Sequence, residues 1–251
     1  MNSIILELSA LENKIIDNTK IYGLEIHKKI SEMLEVEDKN DLRVSNIFGE
    51  FFKKRIELEK NEKYKIRITT KTQEKLLKLR DQLFQLAINE ENIVIGEGIF
   101  QLAGIITKND TWCGEYDLRK EVKNLDINKF NFLKKINLKI VTPILVDGKS
   151  IFGFEKILEI ILKEVESKLE EAEIKVLKEK ILNFITVKRE FYREKKVNLL
   201  NNNIKKVYIG DIEIELYGYY GEFFLVLLQY LRYAGIGEFK EYGFGEIILK
   251  S

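Results

Sequence analysis

The sequence predicts an α+β protein whose two halves repeat one order of elements: strand, helix, strand, strand, helix, strand. Three observations carry this reading. Short segments with alternating apolar residues, the pattern of a half-buried strand, are interleaved with segments whose apolar residues return every three or four positions, the pattern of a helix. The same order occurs before and after a polar stretch running from Thr107 to Lys129. With 45% hydrophobic and 11% aromatic residues, the chain can bury a substantial core beneath these elements.

In the first half, "SIILELS" (Ser3 to Ser9) puts Ile4, Leu6 and Leu8 on one strand face. From about Lys20 to Glu35 the spacing changes, and Ile26, Ile30, Met33 and Leu34 fall on one helical stripe. "YKIRIT" alternates again, with Tyr64, Ile66 and Ile68 on one face. "TQEKLLKLRDQLFQLA" reads as a helix through Leu76, Leu79, Leu83 and Leu86, and "IFQLAGIIT" as a strand. A further strand is expected between Arg43 and Leu58. In the second half, "INLKIVTP" alternates until Pro143, which stops ladder donation because it lacks an N–H. One helical pattern runs from Phe154 to about Leu182. "FITVKREFY" and "VYIGDIEIELYG" read as paired strands, "EFFLVLLQYLRYA" as a helix through Phe223, Leu227, Tyr230, Leu231 and Ala234, and "GEIILK" as the closing strand. Each half thus has the ferredoxin-like (RRM-like) βαββαβ order. The expected division is residues 1–120 and 121–251.

Composition narrows the class. The chain has 251 residues, 45% of them hydrophobic, enough to bury a sizeable core. Lys+Arg 42 against Asp+Glu 41 gives a net charge of +1, so any basic surface must come from local segregation of charge. The single cysteine, Cys113, excludes an intramolecular disulfide and a multi-cysteine zinc site. The first residues lack the basic leader and apolar core of a signal peptide, and no apolar run approaches the roughly 20 residues needed to span a bilayer. A soluble cytoplasmic protein, without membrane attachment, metal or cofactor, is expected.

The most unusual segment is "GIGEFKEYGFG", Gly235 to Gly245, with four glycines in eleven residues. It leaves a helix and enters a strand, whereas glycine loops that cradle nucleotide phosphates open a helix at its positive end. It also lacks the Gly-Lys-Ser/Thr ending of a Walker loop and the G-x-G-x-x-G spacing of a dinucleotide site. A helix C-cap in the left-handed region accounts for Gly235. Gly237, Gly243 and Gly245 are left over, and repeated glycines let a backbone approach a sugar-phosphate chain closely.

This segment, with Lys240 between its two Gly-apolar-Gly triplets, resembles the C-terminal signature of the RAMP superfamily of CRISPR-associated proteins. It is most similar to the repeat-processing endoribonucleases, the sixth Cas family. "KIYGLEIHKKISEML" looks like that family's first helix, "EKYKIRIT" like its third strand, and "LKIVTPILV" like the strand opening its second domain. The likeness spans nearly the whole chain, and its last forty residues are the specific part. It implies two tandem ferredoxin-like domains facing a central cleft, and cleavage of CRISPR precursor RNA inside each repeat. The implied partners are the precursor and the processed guide RNA, with a CRISPR effector complex as a further one and a monomer or homodimer as the working state. A non-catalytic RAMP subunit that binds CRISPR RNA shares the fold and the glycine loop, and is the alternative.

Metal-independent RNA cleavage of the kind implied uses the neighbouring 2'-hydroxyl as nucleophile and leaves a 2',3'-cyclic phosphate. It needs a base, an acid and cations for the phosphorane charge. His27, the only histidine, titrates near neutrality and can act as either acid or base, although its helical spacing from Ile30 and Leu34 suits packing equally. Many relatives carry the histidine in the loop after this helix, where "VEDKNDLRVSN" has none. Some members use tyrosine and lysine instead, which points to Tyr22, Lys28 and Lys39. For RNA binding, "VKREFYREKK" interleaves Lys188, Arg189, Arg193, Lys195 and Lys196 with Phe191 and Tyr192, and "NNNIKKVY" adds Lys205 and Lys206. Cations hold phosphates and aromatic rings stack unpaired bases. With Gly235, Gly237, Lys240, Gly243 and Gly245 of the loop, these are the candidate RNA contacts; Lys65 and Arg67 are weaker ones.

Overall fold

The alternating segment at the start of the chain forms β1 (Asn2–Ala10), the strand around which the first sheet is assembled. The structure, a computed structural model, describes residues 1–17, 22–35, 41–48, 55–108, 112–126, 128, 131–145, 153–165, 171–199 and 203–250. The chain divides into two compact units. The first holds Met1–Tyr116, Asn198–Ile204 and Lys240–Gly243; the second holds Asp117–Val197, Lys205–Phe239 and Phe244–Ser251.

In the first unit β1 is followed by β2 (Lys14–Asp17), α1 (Tyr22–Leu34), β3 (Leu42–Val44), β4 (Arg55–Leu58), β5 (Lys63–Thr70), α2 (Gln73–Ile88), β6 (Ile93–Ile95), β7 (Gly98–Ile106) and β8 (Gly114–Glu115). The sheet order is β3-β5-β1-β7-β6, with β8 also on β1, and the pairs are antiparallel. Without the short β6 and β8, this is the strand order of a ferredoxin-like unit. Ile4, Leu6 and Leu8 of β1 and Ile66 and Ile68 of β5 pack with Ile26, Ile30 and Leu34 of α1 and Leu79 and Leu83 of α2. Burying each such side chain contributes about 1.5–3 kcal/mol. On β5, Arg67 stands opposite Ile5 of β1 and is buried. Its guanidinium lies 5.2 Å from the centroid of Trp112, whose ring packs on Phe48 at 4.7 Å. Trp112 therefore covers a buried arginine, and Cys113, next to it in the chain, is buried as well.

The second unit runs α3 (Leu118–Lys123), β9 (Leu133–Leu145), α4 (Phe154–Val165), α5 (Glu171–Leu182), β10 (Ile185–Leu199), β11 (Asn203–Tyr217), α6 (Gly218–Ala234) and β12 (Ile247–Lys250). Its order, β10-β11-β9-β12, is again ferredoxin-like. Asp117 caps α3 by accepting from the N–H groups of Arg119 and Lys120 at 3.0 and 3.2 Å. Glu190 of β10 accepts from Phe154 N–H at 3.0 Å, placing a carboxylate at the positive end of α4. No helix of the described residues is long and apolar enough to cross a membrane.

Three elements differ from the sequence reading. The strand expected between Arg43 and Leu58 is two strands: β3 joins the main sheet, while β4 pairs only with β2. The helical pattern from Phe154 to Leu182 is two helices, because surface Lys and Glu carry a helical period without marking where one helix ends. The buried face of α6 is centred on Phe224, Leu227, Leu228 and Leu231 rather than Phe223. β9 runs on past Pro143, as the strand reading of "LKIVTPILV" expects. The β11 register jumps there from Tyr208↔Ile144 to Gly210↔Ile140, so the proline falls in a bulge where its missing N–H costs no ladder bond.

Leu138 is fully buried in the central strand of the second sheet, opposite Ile212 on one side and Leu249 on the other. Leu138→Ala should destabilise the protein by about 2–5 kcal/mol in urea unfolding, whereas Leu133→Ala, at the exposed start of the same strand, should stay within about 0.5 kcal/mol.

Candidate functional site

The glycine segment owes its shape first to backbone geometry. All four glycines have positive φ: +72° at Gly235, +83° at Gly237, +87° at Gly243 and +65° at Gly245. Gly235 stops α6, donating to Leu231 O at 2.7 Å, but its φ 72°, ψ 171° lies outside the left-handed helical cap expected for it and in a region that is essentially glycine's alone. In the second unit, Ile236 N–H donates to Gly245 O at 3.0 Å, and Gly245 N–H donates to Pro143 O at 2.8 Å. The two arms of the segment thus cross each other and then join β9. A side chain on Gly245 would put Cβ 1.8 Å from Ile236 O, and one on Gly237 would meet Leu145 O at 3.1 Å.

The middle of the segment belongs to the first unit, where Lys240–Tyr242 makes one 3-10 turn. It packs on α1 and on the residues following β3. Cβ of a residue replacing Gly23 would stand 2.0 Å from Tyr242 O, and one replacing Gly243 would stand 2.6 Å from Asn46 N. Arg43 Nε donates to Lys240 O at 3.0 Å. Gly23, Arg43 and Tyr242 fix this turn and escaped the sequence reading. A glycine in the first turn of a helix was the one available signal.

The candidate catalytic residues lie unequally around this turn. His27 is buried, its ring edge-on to Tyr242 at 5.1 Å between centroids, with Nδ1 3.1 Å from Ser31 Oγ. Tyr22 is buried, donates its hydroxyl to Ile95 O at 2.8 Å, and burial pushes its pKa upward. Both arrangements suit packing. Lys28 is exposed on α1, and Lys39 lies outside the described residues. His27, Lys240 and the turn are therefore together, while Tyr22 points at β6.

The basic residues concentrate on β10 and β11. From Lys188 to Lys206 there are seven cations and two carboxylates, a surplus of five in a chain whose total is +1. Charge is thus segregated, as nucleic-acid binding by a near-neutral chain requires. Arg189, Arg193 and Lys196 are exposed, and Lys195 and Lys205 half-buried. Lys206 pairs with Glu194 at 3.1 Å, and Tyr208 hydroxyl donates to the same carboxylate at 3.3 Å. Lys188 pairs with Glu215 at 3.0 Å, and Lys135 of β9 with it at 3.1 Å. Phe191 is 54% exposed, an aromatic face among the cations. Of the weaker candidates, Lys65 pairs with Glu7 and Arg67 is buried under Trp112.

This combination, two ferredoxin-like units with a glycine loop before the last strand and a basic two-stranded arm, defines the fold class. It is the fold of the Cas6 and RAMP proteins. A Cas6 product complex, from Thermus thermophilus, matches over 99% of both chains with a TM-score of 0.69 and 14% identity. A Cas6-related protein from Pyrococcus furiosus matches over 100% of this chain and 98% of its own at 0.57 and 12%. An RAMP protein described as binding different RNA substrates matches over the full length of both chains at 0.54 and 12%. No family model and no curated protein matches the sequence.

Gly245→Ala should destabilise the protein by more than about 3 kcal/mol, since it combines a left-handed φ with a backbone clash. Gly104→Ala is the control: there the new Cβ would meet only the end of the Glu7 side chain, at 3.2 Å, and the change should stay within about 1 kcal/mol in urea unfolding. A second expectation concerns acid. The Glu215 carboxyl is held down to about 2 by hydrogen bonds from Tyr217, then Lys188 and Lys135. A depressed carboxylate stabilises the folded state above its unfolded value near 4.5 and loses that contribution as pH falls toward 2. The stability difference between wild type and Glu215→Gln should therefore be full at neutral pH and close across that window.

Proposed function

We propose that this protein is an endoribonuclease that cleaves CRISPR precursor RNA within its repeats and retains the processed guide RNA. The observation that carries the reading is the surplus of five positive charges on the β10–β11 arm of a Cas6-like fold. Phosphate contacts dominate RNA affinity, and Arg189, Arg193, Lys195, Lys196 and Lys205 are placed to make them, with Lys188 and Lys206 exchanging their carboxylate partners for phosphate. In the proposed reaction the 2'-hydroxyl attacks the adjacent phosphorus, the 5'-oxygen leaves with a proton, and a 2',3'-cyclic phosphate remains. Lys28, Lys39 and Lys240 are the proposed cations for the phosphorane charge, and His27 the proposed proton-transfer group. The glycine segment contributes backbone N–H groups between Gly235 and Gly245.

The burial of His27 beside Tyr242 favours a second reading, a RAMP-type protein that binds CRISPR RNA without cutting it. Incubation with the repeat RNA of the source genome in EDTA separates the two. Discrete cuts ending in cyclic phosphate establish the nuclease; intact RNA in a tight complex establishes the binder.

Neutralising Arg189 and Lys196 together should weaken repeat binding and lower the slope of log affinity against log salt by about 2, one for each phosphate contact. An unaltered slope would assign both residues to solvated surface. For His27→Ala, proton transfer predicts near-wild-type binding and a cleavage rate reduced by about 10²- to 10⁴-fold, with loss of a rate limb between about pH 5 and 8. Lowered thermal stability with parallel loss of binding and cutting would instead assign His27 to packing.

A further inference from the structure

At the end of the second sheet where β10 begins and β11 finishes, three aromatic residues gather at the surface. Phe184, 36% exposed, lies 5.4 Å from Tyr220 with the rings tilted by 43°, and Tyr219 stands edge-on to Tyr220 at 5.3 Å. Lys180 Nζ sits 5.5 Å from the Tyr220 centroid. Backbone geometry fixes the cluster. Phe184 O accepts from Tyr217 N–H at 2.9 Å, and Gly218 has φ +54°, with Phe184 3.1 Å from where its Cβ would be. A larger residue at Gly218 would both strain the backbone and displace Phe184. Tyr217 donates its hydroxyl to Glu215, the carboxylate shared by Lys135 and Lys188.

Three half-exposed rings held at one place are costly surface unless something stacks on them. Lys180 stands over Tyr220, and Lys135, 77% exposed at its side chain, and Lys188, 50% exposed, pair with Glu215, the carboxylate to which Tyr217 donates. Rings provide faces for bases, and cations provide for the sugar-phosphate backbone, the combination used by single-strand binders. We propose that Phe184, Tyr219 and Tyr220, with Lys135, Lys180 and Lys188, form a stacking platform for unpaired nucleotides of bound RNA. It rests on the RNA reading above and adds to it a subsite for single-stranded rather than hairpin RNA. A protein partner would use the rings but would have no call on three lysines.

The probe is a fluorescein-labelled oligouridine of about ten nucleotides, compared with the repeat hairpin, on the full-length protein. Tyr220→Ala should weaken oligouridine binding by about tenfold without altering its salt slope, because a ring neutralises no phosphate, and Tyr220→Phe should restore binding to within about twofold. Lys180→Ala should lower the slope by about 1. Ultraviolet crosslinking of wild type to oligouridine should label the peptide carrying Tyr219 and Tyr220 or that carrying Phe184. Should Tyr220→Ala fail to fold, Lys180→Ala and the crosslinked peptides decide. A protein that binds the hairpin but shows unchanged oligouridine affinity in folded variants, or crosslinks only elsewhere, overturns the platform alone. A wild type that binds neither RNA overturns the RNA reading together with it.

Discussion

The second unit depends on a backbone crossing at which two carbonyls and two amides leave no room for a side chain. Ile236 donates to Gly245, Gly245 donates to Pro143, and a Cβ at residue 245 would lie 1.8 Å from Ile236 O. The crossing delivers β12 to β9, where Ile247 pairs with Ile140 and Leu249 with Leu138, and so closes the four-stranded sheet. It also accounts for Pro143 inside a strand: the residue whose N–H is missing is the one whose carbonyl takes the incoming loop. Buried backbone groups must be paired, and here each arm of the loop supplies the partner of the other.

Much of this was legible in the sequence, for a physical reason that differs by element. α2 was readable because one face is buried and the other wet, and β1 and β5 because apolar residues recur at every second position on one face, although their other face is largely buried as well. The double ferredoxin-like order followed from the same periods read in both halves. The split between α4 and α5 was not readable, since Lys and Glu favour helix on both sides of any break. Neither was the buried face of α6: that helix is apolar around most of its circumference, so Phe223 and Phe224 were equivalent by composition. The glycines announced an unusual backbone but not its cause. Close approach to a phosphate and close approach to another peptide make the same demand on a residue, and the coordinates supply a peptide neighbour for Gly237, Gly243 and Gly245. Those neighbours account for the glycines whether or not RNA also lies along the segment.

The helix α1 shows why residue identity alone is a weak guide to catalysis. His27 was singled out as the only histidine, and Tyr22 as its neighbour in sequence. They sit five residues apart, so they leave the helix in different directions: the ring of His27 meets Tyr242, while the hydroxyl of Tyr22 meets Ile95. Acid-base chemistry needs a titratable atom within reach of substrate, and a hydroxyl that donates to a buried carbonyl with its pKa raised has given its proton a structural task. Arg43, by contrast, attracted no notice in a chain with 42 basic residues, yet its Nε donates to the carbonyl of Lys240.

Charge follows the same logic on a larger scale. A total of +1 conceals a surplus of five between Lys188 and Lys206, so the remainder of the chain carries a deficit of four. Within the arm the carboxylates are not spread evenly in effect. Glu190 is engaged at the start of α4, Glu194 is shared by Lys206 and Tyr208, and Glu215 draws in Lys188 and Lys135. The lysine ends of these pairs are exposed, and the Lys206–Glu194 pair, exposed at both ends, contributes only about 0–1 kcal/mol, little enough for a phosphate to replace a carboxylate as partner. A fixed, strongly bound pair would have removed those lysines from ligand binding; a weak one stores them in a defined position until a polyanion arrives. The arm therefore holds its cations in place without neutralising them for good, which is the electrostatic arrangement a near-neutral protein needs if it is to bind RNA at one surface and repel it from the rest.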